Sequence, residues 1–162
     1  MSNRLKQALA LLQPLAVLPD WGIGGSLLLV EQQLQQDFRD IDLVCTTHAA
    51  PTLDAELSRL ATPLQTTPHP QYCSQFFRRY QHSSGLVIEL MAGIAVRNST
   101  GTLQHWQFDP HIDPHIDPHC LQRRHGLPWM TLRDWLVLYQ LFERPEKVLL
   151  LQAALARAVA QD

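Results

Sequence analysis

The 162-residue chain is short of charge: Asp, Glu, Lys and Arg make up 17%, against 46% hydrophobic residues. Disorder requires the opposite balance, so the chain must bury a core. It also lacks a basic excess. Thirteen Lys and Arg against fifteen Asp and Glu leave a net charge of -2. That excludes a broad nucleic-acid-binding face and leaves room only for a local basic patch. Cysteine is sparse: Cys45, Cys73 and Cys120 are widely spaced and form no CxxC pair. An odd, scattered set excludes a disulfide framework or a zinc knuckle and points to the reducing cytoplasm. No apolar run approaches membrane-spanning length, and the apolar start carries no small-residue cleavage pattern. The expectation is a soluble cytoplasmic protein of one domain, long enough to need no staples.

Leu5, Ala8, Leu9 and Leu12 recur at helical spacing, which predicts a helix over 3–13 that Pro14 ends. Trp21-Gly22-Ile23-Gly24-Gly25-Ser26 reads as a strand-like start running into a glycine turn. The LLLVEQQLQQ stretch then reads as a helix. Residues 39–45 (RDIDLVC) turn apolar after an alternating start and predict a strand. Residues 51–61 predict a helix opened by Pro51. The proline-bearing stretch 62–74 reads as loop, with a short strand near Leu64. Residues 76–80 and 86–96 predict two strands joined around 82–85, and 103–108 a further strand. Thr131 is placed to cap a helix carrying Leu132, Trp135, Leu136 and Tyr139. Glu143-Arg144-Pro145 interrupts it, and Val148, Leu151, Leu155 and Val159 mark a second helix. Residues 1–127 are expected to form a core, with 128–162 as a helical hairpin packed on it.

One repeat stands out. Asp-Pro-His recurs with period four from Asp109 to His119. Its prolines forbid a helix interior. An extended chain would put every Asp and His on one face. His111, His115 and His119 are possible zinc or nickel ligands. On one extended strand, however, successive histidines lie about 13 Å apart, too far to share an ion. A tandem duplication tolerated in a surface loop explains the tract more simply.

The strongest chemical signal is Gly24-Gly25-Ser26 followed by Asp40-Ile41-Asp42. Residues 40 and 42 of a strand share a face. Two carboxylates side by side repel unless a cation lies between them. Magnesium takes one or two protein carboxylates and completes its shell with substrate phosphates. A glycine pair lets backbone approach a phosphate, with amides at a helix start facing the anion. Ser26 offers a hydroxyl. Arg39 suits a phosphate contact or a plain surface charge equally. Glu89 lies in an apolar strand, Val87 to Met91, where a lone carboxylate needs a partner or a metal. It reads alternatively as a residue facing solvent. Arg78, Arg79, Arg123, Arg124 and Lys147 are further basic candidates, each more simply a solvated charge, and Trp135 with Tyr139 reads as core.

WGIGGSLLL and RDIDLVC, over residues 21–45, resemble the nucleotidyltransferase superfamily of polymerase-beta-like folds and small antibiotic nucleotidyltransferases. The strand LVIELMAG and the segment LRDWLVLYQLFERPEKV are similar to it more loosely. The resemblance implies an α/β (α+β) fold: a mixed sheet flanked by helices, with a C-terminal helical hairpin. It implies Asp40, Asp42 and Glu89 as catalytic and metal residues, with Glu where the family usually has Asp. Gly24, Gly25, Ser26 and Arg39 would bind the nucleotide. It implies magnesium-dependent transfer of a nucleoside monophosphate from an NTP to an acceptor hydroxyl or phosphate, on a small molecule or an RNA. Two other readings stand beside it. One is a catalytically weakened nucleotide-binding or interaction protein on the same fold. The other is a transition-metal module built on the repeat.

Overall fold

The computed structural model describes residues 1–110 and 121–161. Helix α1, Asn3–Leu12, is capped by Ser2, whose Oγ accepts from the Leu5 N–H at 3.1 Å. Its buried residues Leu5, Ala8, Leu9 and Leu12 are the stripe that the spacing predicts. A 3-10 turn, Gln13–Leu15, absorbs Pro14. Strand β1, Trp21–Gly24, runs into helix α2, Gly25–Glu31, followed by β2, Ile41–Cys45, and α3, Ala50–Leu60. Five strands follow: β3, Thr62–Leu64; β4, Phe76–Gln81; β5, Val87–Ala92; β6, Ile94–Arg97; and β7, Leu103–Trp106. A hairpin of β8, Gln122–Arg124, and β9, Leu127–Trp129, leads to α4, Leu132–Leu141, and α5, Pro145–Ala160.

Seven of these strands form one mixed sheet in the order β3-β4-β5-β2-β1-β9-β8, and β6-β7 form a separate pair. β2 runs parallel to β5 and antiparallel to β1. Because side chains alternate along a strand, the registers sort the central residues onto two faces. Trp21, Ile23, Ile41, Leu43, Tyr80, Ile88 and Leu90 share the first face and are almost wholly buried. Helix α3 covers part of it, and the Tyr80 hydroxyl donates to Asp54 Oδ1 at 2.5 Å. The turn after α1 covers another part, where Trp21 Nε1 donates to the Leu18 carbonyl at 2.9 Å. The opposite face carries Gly22, Gly24, Asp42, Glu89 and Arg79. That second face also carries buried Val44 and Met91, so core lies on both sides of the sheet and the acids are set within an apolar surround.

Two sequence expectations need correction, and one element was not foreseen. The helix after the glycine pair stops at Glu31 rather than running through the glutamines. Gln33 takes a left-handed φ of 61°, and the Gln33 and Leu34 N–H groups donate back to the Val30 and Leu29 carbonyls. That is a Schellman closure, with Gln in the place glycine usually fills. The single strand expected over 86–96 breaks at Gly93, φ 57°, so that β6 leaves the main sheet to pair with β7. The β8-β9 hairpin was not predicted, because its strands are three residues each and too short to show alternation. Thr131 caps α4 as expected, accepting from the Asp134 N–H at 3.2 Å. Apart from Asp109 and Pro110, the Asp-Pro-His tract lies outside the described residues. No helix among those residues is long and apolar enough to cross a membrane.

The β8-β9 hairpin is tied to α2 through Arg124, whose Nε and Nη2 each donate to a Glu31 carboxylate oxygen at 2.8 Å. The Glu31 side chain is only 7% exposed. Burial alone would raise its pKa, but hydrogen bonds from Arg124 and Gln32 outweigh that and hold it below the ordinary value. Removing the arginine would strand a desolvated carboxylate. Arg124→Ala is expected to cost about 2 kcal/mol at neutral pH, read by urea unfolding. Adding Glu31→Gln should recover part of the loss. A single mutant as stable as the wild type would show the tie to be idle.

Candidate active site

Read across the sheet at one level, Gly24, Asp42, Glu89 and Arg79 are successive partners on β1, β2, β5 and β4. Directly opposed residues hold their Cβ atoms roughly 4.5–5.5 Å apart. The Asp42 and Glu89 carboxyls therefore face each other at close range. Asp40, one residue before β2, lies close enough for one arginine, Arg79, to reach both it and Glu89. Three acids gathered in this way cannot all ionise cheaply. Burial first, then the Glu89 and Asp40 charges, push the Asp42 carboxyl well above the usual carboxylate range, while Arg144 pulls the other way. Glu89 is also raised, by burial and then by Asp40, with Arg79 opposing.

The glycine pair is explained by what lies against it. A Cβ on Gly24 would sit 1.7 Å from Trp135 Nε1. Gly24 therefore lets α4 lie directly on the sheet. Gly25 has φ 60°, and a Cβ there would sit 1.9 Å from Asp42 Oδ2. The carboxylate thus nests against the turn between β1 and α2. Ser26 fastens the acidic segment to that turn: its Oγ accepts from the Arg39 N–H at 3.2 Å and donates to the Asp40 carbonyl at 3.4 Å. Arg39 itself is exposed. Arg4 braces the same segment from α1, through Asp37 at 2.7 Å and the Phe38 and Arg39 carbonyls.

The structure thus brings Asp40, Asp42, Glu89, Gly24, Gly25 and Ser26 together. Trp135 and Tyr139 are core as their spacing predicts, at 2% and 5% exposed, and from α4 they also roof the site, Trp135 lying against Gly24. Burial and then the Asp42 charge push the Tyr139 hydroxyl up. Arg144 was not singled out. It stands where α4 breaks into α5, and its charge reaches both Asp42 and Tyr139. The only sequence signal for it was a cation at the interruption between two helices. Lys147, one turn further on, binds the Gln35 side-chain oxygen, and burial lowers its pKa.

The donor set is all carboxylate oxygen, which suits a hard dication such as magnesium. The raised acids mark a place short of positive charge. Among the described residues, however, no three acidic, histidine or cysteine side chains form a closed group around one point. Arg79 lies across two of the three acids, with Nε 3.2 Å from Glu89 Oε1 and Nη2 3.9 Å from Asp40 Oδ2.

No family model and no curated protein matches the chain. Among solved structures, a Thermotoga maritima protein described as a candidate nucleotidyltransferase is similar, with a TM-score of 0.58 at 21% identity. The similarity covers 95% of this chain and 91% of that one. The class defined by that likeness is a fold class: the chain has a nucleotidyltransferase-like mixed α+β fold.

Proposed function

We propose that the protein transfers a nucleoside monophosphate from an NTP to an acceptor hydroxyl or phosphate, with magnesium. The observation that carries this reading is the shared level of Asp42 and Glu89 on parallel neighbouring strands, with Asp40 beside them and the Gly24-Gly25 turn against Asp42. Asp40, Asp42 and Glu89 would hold magnesium, which when bound supplies charge neutralisation at the phosphoryl oxygens. The Gly24-Gly25-Ser26 backbone, with Arg39, would hold the triphosphate. The acceptor oxygen bonds to the α-phosphorus, and the bond to the departing pyrophosphate breaks. Glu89 takes the acceptor's proton, a role that its raised pKa suits. Trp135 and Tyr139 exclude water from one side. The acceptor is a small molecule or an RNA.

The pairing of Arg79 with Glu89 supports a second reading, a nucleotide-binding protein with weakened catalysis. Pyrophosphate release from each NTP, with magnesium or with chelator and across a panel of hydroxylated acceptors, separates the two. Metal-dependent release supports transfer. Calorimetric binding of magnesium-NTP without release supports the second reading, and neither result would sink both.

A further inference from the structure

Arg79 has a position unlike any other arginine of the described chain. It is the direct cross-strand partner of Glu89, on the same face as Asp42. Its guanidinium reaches Glu89 and Asp40 at once, at 3.2 and 3.9 Å. Its Nε is buried and makes no hydrogen bond, although it lies within ion-pair distance of Glu89. The contact is therefore electrostatic rather than a fitted bidentate fork, which is how arginine binds a carboxylate when it settles there permanently. The side chain remains 37% exposed, so it has a way out to solvent. A dication drawn to Asp40 and Glu89 would have to share their oxygens with this charge.

We propose that Arg79 is the resident counter-ion of the acidic row: it neutralises Asp40 and Glu89 while no metal is present and must be displaced from them before a dication binds. This rests on the metal-binding part of the proposed function and deepens it. Two consequences follow from simple charge balance. The nucleotide-free protein binds dications weakly, because metal and guanidinium compete for the same oxygens. The metal-free fold is steadier with Arg79 than without it, because Asp40 and Glu89 share its one charge.

The test is manganese binding to the full-length, nucleotide-free protein by calorimetry, with melting temperatures recorded with and without manganese. Arg79→Met should bind manganese at least about tenfold more tightly than the wild type, since a unit charge a few ångströms away is removed. It should melt lower than the wild type without metal and regain the difference with manganese. Arg79→Lys, which keeps the charge, should stay within about twofold of the wild-type affinity. Arg79→Gln, of similar length and neutral, repeats the Met arm should that variant fold poorly. Equal or weaker binding by the neutral variants, with wild-type binding lost in Asp42→Asn, overturns the counter-ion role and leaves the metal reading standing. Tighter binding by Arg79→Lys as well would show that shape and not charge sets the affinity, and would also overturn it. No manganese binding by any variant removes the metal reading and this inference together.

Discussion

Asp42→Asn is expected to lower divalent-dependent transfer by about a thousandfold and, without metal, to stabilise the protein at neutral pH. Both effects come from one charge. The loss of rate follows because a metal that steadies phosphoryl charge contributes several kcal/mol, about 1.4 per tenfold in rate. The gain in stability follows from the raised pKa. Asp42 titrates well above its ordinary value of 3.8 in the folded chain, through burial and the Glu89 and Asp40 charges. A group with a raised folded pKa stabilises fully below its unfolded pKa, and that contribution fades as pH climbs through the folded value. Asparagine has the shape of the protonated acid and stays neutral at every pH. Metal-free melting curves of the two proteins should therefore lie close together near pH 4 and diverge toward about pH 8, with the mutant higher. Parallel curves would show that Asp42 holds no surplus proton. Equal transfer rates would remove Asp42 from the mechanism.

Gly25→Ala is expected to cost about 3 kcal/mol in unfolding free energy and to abolish transfer. Part of the cost is the left-handed φ of 60°, which an L side chain adopts poorly. The rest is steric, since the new methyl would sit 1.9 Å from Asp42 Oδ2. Either the turn or the carboxylate must move, and the carboxylate is the softer of the two. The steric part is partly separable. In an Asp42→Ala background the nearest oxygen and carboxyl carbon are gone while the Cβ at 2.9 Å stays, so Gly25→Ala should cost about 1 kcal/mol less there. Equal costs in the two backgrounds would show that the turn, and not its contact with Asp42, sets the penalty.

Much of this arrangement was legible in the residues, and the parts that were not have definite causes. The parity of Asp40 and Asp42 and the acidic residue in the apolar strand around Glu89 located the carboxylates, because strand alternation is a local rule. That Asp42 and Glu89 stand at one level depends on how β2 aligns with β5, residues more than forty positions apart, which no local pattern encodes. The same holds for Arg79. As one of several arginines it looked like surface charge, and only its pairing with β5 gives it meaning. The glycines were legible as a turn, but their contacts were not: Gly24 answers to Trp135, more than a hundred residues away. Trp135 and Tyr139 have helical spacing whether they line a core or roof a site. The early end of α2 was missed because glutamine rarely closes a helix in the left-handed conformation, whereas the split at Gly93 had a visible glycine.

The five-residue turn from His82 to Leu86 sets β4 against β5 and so Arg79 opposite Glu89, whereas the level of Glu89 against Asp42 is set where β5 meets β2. If β5 slipped along β2 by one residue, Glu89 would turn to the opposite face of the sheet. A slip of two would restore its facing but carry the carboxyl about 6.7 Å along the strand, out of reach of Asp42. Neither change alters a single residue of the row. Residue-by-residue mutagenesis of the row would leave that geometry untouched, whereas a change of register between β2 and β5 would undo the site with every one of its residues in place.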